Sequence, residues 1–378
     1  MKPVYLDYNA TTPIDPKVAE AMLPFIHEHF GNPSSGHFYG AATKKAVENA
    51  RGQVAQMLQC APGDVVFTSG GSESNNYAIK GVAHAYRSRG NHIITSAVEH
   101  PAVLEVCVYL ESNGFQITRL PVDGDAWVSP EQVEAAITPA TILVSIMHAN
   151  NEVGTIEPIR EIVEAAHRHG VLVHTDAAQS IGKISVRVDE LGIDLLSIAG
   201  HKLYAPKGVG ALYIRPGTVL EKFVHGAGHE VGRRAGTENT IGVVGLGAAC
   251  RMIAENLSNF SEHMRAMRDR LESGILSRIS DVRVNGRRES RLPNTASISF
   301  KSLEADSIIS NLPDIAVSAG SACHSDRVEI SPVLKAMGIP LEYAMGTIRF
   351  STGRFTSKTE IDLAVNRVAE VVEKLRQR

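Results

Sequence analysis

Apolar residues along this chain follow two rhythms that take turns. "DVVFTSGG" reads as a buried strand ending in a tight turn, and "SESNNYAIKGVAHAY" then carries apolar residues at helical spacing. "NHIITSAVEH" repeats the plan, with "PAVLEVCVYLES" as its helix and Pro101 at a tolerated early position. "TILVSIMHANNEVG", "GVLVHTDAAQ" and "DLLSIAGHK" are three further apolar strands whose polar residues come at the carboxyl end. Between two of them "EPIREIVEAAHRHG" is an amphipathic helix closed by Gly170.

Strand and helix in alternation predict an α/β fold, a mainly parallel sheet covered on both faces. Right-handed crossovers bring the carboxyl ends of such strands to one edge, where ligands of open α/β sheets bind. After about Thr240 the character changes. "IGVVGLGAACRMIAENL" and "FSEHMRAMRDRLESGIL" read as long helices with a break near Ser258 and Asn259. "NTASISF" alternates like a half-exposed strand, and "EIDLAVNRVAEVVEKLRQR" is a closing amphipathic helix. The expected division is a large domain over 13–257, with 1–12 and 258–378 forming a smaller α+β domain.

Composition narrows the classes. A chain of 378 residues suits two domains or one large α/β unit, and 43% hydrophobic with 21% charged residues is ordinary for a soluble globular enzyme. With a net charge of −3 and no basic block, neither nucleic acid nor an anionic membrane is an implied partner. The four cysteines, Cys60, Cys107, Cys250 and Cys323, show no metal-type spacing, and their scarcity favours a reducing compartment. "MKPVYLDYNATTP" lacks the apolar core of a secretory leader, so a cytoplasmic setting is expected. His225 and His229 in "HGAGHE" read as part of a structural loop, and no metal site is expected.

Three pieces of the chain carry chemistry. Lys202 follows the apolar run "DLLSIAG" and His201. Alone it reads as a solvated lysine, but in a protected cleft a desolvated amine can form a Schiff base with a carbonyl. Asp176 in "VHTDAAQ" ends a strand, either as a helix cap or as the partner of a protonated heterocyclic nitrogen. "TSGGSESNN" lies between strand and helix, so its backbone amides and Ser72 suit an anion. It matches neither the dinucleotide nor the ATP-binding glycine motif. An anion cradle, a lysine and an acid on successive strand ends together specify a phosphate-bearing aldehyde cofactor, pyridoxal phosphate. Cys323 in "AGSACHSD" sits among small polar residues, which suits an exposed loop carrying a working thiol.

The chain resembles the cysteine desulfurases of the NifS/IscS type, class V aminotransferases of the fold-type I pyridoxal phosphate architecture. The resemblance runs nearly end to end through "YLDYNATTP", "GNPSSGHFYG", "FTSGGSESNN", "EHPAV", "NNEVGTIEPI", "HTDAAQSIGK", "GHKLYAPKGVGALYIR", "GAGHEVGRRAGTENT", "SAGSACHSD" and "IRFSTGRFT". It implies Lys202 as the Schiff-base lysine, Asp176 as the partner of the pyridine nitrogen and Gln179 as a donor to the phenolate oxygen. His100 resembles the histidine stacked on the ring. Gly71, Ser72 and His201 are implied as phosphate ligands, with Thr237 reaching it from a second subunit of a homodimer. Asn151 and Arg349 resemble the residues that hold the substrate carboxylate, for which an arginine fork is suited. Cys323 matches the cysteine that takes the sulfur of L-cysteine as a persulfide, leaving alanine, and then passes it to an acceptor protein in iron–sulfur cluster assembly or thiolation.

The chain departs from that pattern. Ala199 stands where many desulfurases have a phosphate-binding serine, so one phosphate contact is expected to be missing. "ACHSD" is also similar to the selenocysteine lyases. The sequence ends at Arg378, soon after the last amphipathic helix, where housekeeping desulfurases continue into a scaffold-docking tail. Selenocysteine lyase, and a dedicated sulfur donor for tRNA thiolation or DNA phosphorothioation, therefore stand as alternatives.

Overall fold

The computed structural model describes residues 3–324 and 327–377, and for 321–324 and 327–329 it describes the backbone alone. Near the start, β1 (Val4–Tyr5) is a two-residue strand. Seven strands then build the main sheet: β2 (Val65–Thr68), β3 (His92–Ser96), β4 (Gln116–Leu120), β5 (Thr141–Ser145), β6 (Leu172–Asp176), β7 (Leu195–Ala199) and β8 (Gly210–Ile214). Their order is β2-β8-β7-β6-β5-β3-β4, and only β8 runs against its neighbours.

The apolar strand runs are buried on both faces, as a covered parallel sheet requires. Successive residues point to opposite sides. Val65, Phe67, Ile94, Val144, Leu196 and Ile198 enter one core with the helices Pro16–His27, Phe38–Leu58 and Ile159–His167. Val66, Ile93, Leu143, Leu195 and Leu212 enter a second core under helices Gly71–Ala85 and Pro101–Ser112. Only the edge strand β4 leaves residues exposed.

A third core surrounds a four-stranded antiparallel sheet of order β12-β15-β10-β9, formed by β9 (Val282–Asn285), β10 (Thr295–Phe300), β12 (Ser318–Ala319) and β15 (Thr347–Ser351). Val4 and Leu6 join this core, as β1 pairs in parallel with β11 (Ile315–Ala316). The closing helix Lys358–Arg376 starts on a capping box, Ser357 with Glu360, and buries Ile361, Val365 and Val368 there. Where the sequence predicts an open loop around Cys323, the backbone pairs β13 (Ser321–His324) with β14 (Arg327–Ile330), Cys323 opposite Val328.

Two expectations are corrected. No break occurs at Ser258–Asn259: Thr240–Leu276 is one helix of 37 residues. Both residues are exposed there, and their weak helix propensity costs only a few tenths of a kcal/mol each. Packing at both ends outweighs it, with Val243, Leu246 and Ile253 in the first core and Met267, Leu271 and Ile275 in the third. Strand β10 is buried throughout rather than half-exposed. Its polar face is satisfied by side chains: Asn285 Nδ2 donates to Ser299 Oγ at 2.8 Å, and Asn9 Nδ2 donates to Thr295 Oγ1 at 2.9 Å.

A buried ion pair fixes the 224–238 segment to the main sheet. Arg51 donates to both oxygens of Glu230, at 2.7 and 2.9 Å, and to the Val65 carbonyl at 3.0 Å, while Glu230 accepts the Phe67 amide at 2.9 Å. The two side chains are 8% and 3% exposed, so neither charge has water to fall back on. Removing one partner of such a pair leaves the other buried and uncompensated. Arg51→Ala is expected to destabilise the protein by about 3–5 kcal/mol in urea unfolding. A loss below about 1 kcal/mol would show the pair to be solvated, as surface pairs are.

Candidate active site

The carboxyl ends of β2, β3, β5, β6 and β7 meet at one edge of the main sheet, around a cavity of about 280 Å³. Gly71 and Ser72 follow β2, His100 follows β3, and Asn151 lies beyond β5. Asp176 ends β6 with Gln179 just after it, and His201 and Lys202 follow β7. All of these predicted residues line the cavity.

Lys202 is half-buried, and among the described residues no carboxylate pairs with it. Its amine donates to the carbonyls of Asn9 and Ala10, the latter at 2.8 Å. Burial, aided by the positive charge of Arg349, pulls its pKa down to about 8, although Asp176 and Asp7 oppose this. A substantial fraction of the amine is therefore neutral near physiological pH, the form that acts as a nucleophile or a base. Asp176 is held by Asn75, whose Nδ2 donates to Oδ2 at 2.7 Å, and by the Ala178 amide, which donates to Oδ1 at 2.9 Å.

The turn Gly70–Ser72 opens helix Gly71–Ala85 with no side-chain cap. Gly70 has φ +148°, which favours glycine, and a side chain at Gly71 would press on Ala199 at 3.1 Å. An uncapped helix start facing a cavity offers free N–H groups to an anion. His201, bonded to Thr11 Oγ1 at 3.1 Å, has its pKa lowered to about 4 by burial, with Lys202 and Lys207 adding to the effect. It is neutral there and able to donate. His100 caps helix Pro101–Ser112: its Nδ1 accepts the Ala102 amide at 3.1 Å, which leaves Nε2 as its donor. Its surroundings, more than any single charge, keep its pKa below the usual range.

Not every predicted residue lines the cavity. Arg349, on β15, pairs with Asp7 at 2.9 Å and donates to the Asn151 carbonyl at 3.0 Å and to Ser318 Oγ at 3.0 Å, with its buried Nε unpartnered. Thr237 is exposed and lies outside the lining. The thiol of Cys323 lies outside the described residues. Among the described residues no cluster suits a metal ion.

Sequence reasoning missed several residues. Asn75 sits in the quoted "SESNN" but carries no signal that it would orient Asp176. Glu99, one residue before His100, joins two strand ends by accepting Ser96 Oγ at 2.7 Å and the Met147 amide at 2.9 Å. Burial, reinforced by Asp176, pushes its pKa up to about 8. Asn9 is a knot between the sheets, its carbonyl accepting from Lys202 and Gln179 and its side chain meeting Lys183, Asn294 and Thr295. An acid, a partly neutral lysine, an uncapped helix start and two imidazoles on one cavity form a donor set that fits pyridoxal phosphate.

In the ligand-free protein, acylation of Lys202 by an amine-directed reagent, read by peptide mapping, is expected to rise with pH through a midpoint near 8. A midpoint near the ordinary 10.5 would mean that the amine is solvated.

The Aminotransferase class-V family model matches residues 4–363. A cysteine desulfurase IscS of Dictyoglomus turgidum is 49% identical over 99% of this chain and 95% of its own length. Among solved structures, a NifS-like protein superposes with a TM-score of 0.92 at 38% identity, covering 98% of this chain and 99% of its own. SspA in complex with cysteine gives a TM-score of 0.82 at 38% identity, over 94% of this chain and 100% of its own. With relatives this similar along the whole chain and a cavity of this make-up, the protein belongs to the cysteine desulfurases of the class-V aminotransferase family, enzymes that work with pyridoxal phosphate.

Proposed function

We propose that this chain converts L-cysteine to L-alanine and takes the sulfur onto Cys323 as a persulfide, with pyridoxal phosphate held in the cavity. The observation that carries the reading is the partly neutral Lys202 amine sharing one cavity with the Asp176 carboxylate and the uncapped Gly70–Ser72 turn. Cysteine bound in the similar SspA structure supports the choice of substrate.

Pyridoxal phosphate supplies an electron sink for negative charge at the substrate α-carbon. Asp176, oriented by Asn75, would accept the proton of the ring nitrogen, and His100 would help to hold the ring. Gly71, Ser72 and neutral His201 would donate to the phosphate. Ala199, beside Gly71, offers no hydroxyl to it. Thr237, exposed in this chain, would reach the phosphate of a second copy in a homodimer. Asn151, on the cavity wall, and the guanidinium of Arg349, which bonds the Asn151 carbonyl, would take the substrate carboxylate. Lys202 removes the α-proton and returns a proton to carbon. The Cys323 thiol and L-cysteine together give a Cys323 persulfide and L-alanine, with no external oxidant or reductant. A sulfur-acceptor protein then discharges the persulfide, and a cytoplasmic setting keeps the thiol reduced. In this scheme residues 13–257 hold the cofactor, and 1–12 with 258–378 bring Cys323 to it.

Alanine release from L-cysteine and from L-selenocysteine tests the reading. Lys202→Ala is expected to abolish turnover of both. Cys323→Ala is expected to lose cysteine turnover by about a hundredfold or more, the scale on which a lost nucleophile is felt. Wild-type alanine release from cysteine in Cys323→Ala would overturn the persulfide step. Turnover of selenocysteine alone by the wild type would favour the selenocysteine lyase reading.

A further inference from the structure

A second lysine lies beside the site, and nothing in the scheme above uses it. Lys183 is 4% exposed and, among the described residues, has no carboxylate partner. Its amine donates to Gln179 Oε1 at 2.7 Å and to Asn9 Oδ1 at 3.1 Å. Burial first, then the positive charges of Lys202 and Arg349, hold its pKa well below the usual range. Two acceptors, Gln179 Oε1 and Asn9 Oδ1, receive its N–H donors.

The consequence falls on Gln179. With Oε1 taken by Lys183, Nε2 is its remaining hydrogen-bonding end. One of the two Nε2–H bonds goes to the Asn9 carbonyl at 3.0 Å, and Gln179 lines the cavity. The other N–H is available to an acceptor there. Asn9 cannot easily turn to relieve Lys183. Its Oδ1 also accepts Asn294 Nδ2 at 2.9 Å, while its Nδ2 donates to Thr295 Oγ1 at 2.9 Å and to the Asn151 carbonyl at 3.2 Å. The amide of Asn9 is saturated, and reversing it would set donors against donors.

We propose that Lys183 is a positioning residue that locks the amide of Gln179 with its donor toward the cavity, so that Nε2–H meets an anionic oxygen on the ring of the bound cofactor. The proposal rests on the reading of the cavity as a pyridoxal phosphate site. Without Lys183 the Gln179 amide is free to flip and offer its oxygen to that anion instead. A donor to the ring oxygen favours the deprotonated, more negative state of the bound chromophore. Losing the donor therefore raises the pH at which the chromophore loses its proton.

The test is a pH titration of the visible absorption of the loaded enzyme. Lys183→Met keeps the length and apolar bulk of the side chain and removes both donors. It is expected to move the midpoint upward by about 0.5–1 pH unit, the worth of one neutral hydrogen bond. Gln179→Ala is expected to move it the same way, and the double variant no further than Gln179→Ala alone, because Lys183 acts through Gln179. An unmoved midpoint in folded Lys183→Met, or additive shifts in the double variant, would overturn the assignment. Should Lys183→Met fail to fold, an atomic-resolution structure of the loaded wild type decides. Gln179 Nε2 toward the cofactor with Oε1 on Lys183 supports the lock, and the reversed amide refutes it. A wild type that develops no visible band with pyridoxal phosphate would sink the cofactor reading itself, and this proposal with it.

Discussion

A lysine amine partly withdrawn from water, with no carboxylate paired to it among the described residues, is the constraint around which this site is built. Burying a charged ammonium without an ion pair is costly, and the group responds by giving up its proton more readily. Lys202 is in that position because the apolar strand β7 delivers it to the sheet edge, where backbone carbonyls of the N-terminal arm receive its N–H bonds. Asp176 is near enough to oppose the shift but does not pair with it, being engaged by Asn75 and the Ala178 amide. Acid and amine thus stay available for separate tasks. A direct ion pair between them would hold both in their charged forms and end that division of labour.

The same edge depends on contacts between the two sheets. Asn9 stands between them, its backbone amide on Ser351 of β15 and its carbonyl on Lys202 and Gln179. Arg349 reaches from β15 to the Asn151 carbonyl. The unbroken helix Thr240–Leu276 packs on one core at its start and on another toward its end, a stiff link between the two halves. Geometry at the cavity is therefore set by residues of both halves.

Much of this was legible in the sequence because it is local. Short apolar runs such as "VVFT" and "HIIT" identify buried strands, and in an open α/β sheet the residues at their carboxyl ends share one edge. Ser72, Asp176 and Lys202 were placed at that edge in this way. Asn9 was not, because its partners lie between 142 and 342 residues away in the chain. Lys183 in "SIGKIS" looks like any solvated lysine, and only the fold shows that it is enclosed. Ser258 and Asn259 suggested a helix break by propensity alone. Their side chains bond to Glu262 or stay exposed, so nothing competes with the helix backbone while tertiary packing holds both ends. The buried polar face of β10 was hidden for the same reason: its alternation is real, but the partners of its polar side come from elsewhere in the chain.

Two lysines border this site, the buried Lys183 and the half-buried Lys202, and they are assigned different work. Borohydride reduction of the protein loaded with pyridoxal phosphate, followed by peptide mapping, separates them most directly. The pyridoxyl group is expected on Lys202 alone, with Lys183 unmodified. A pyridoxyl group on Lys183, or none on either lysine, would contradict that assignment.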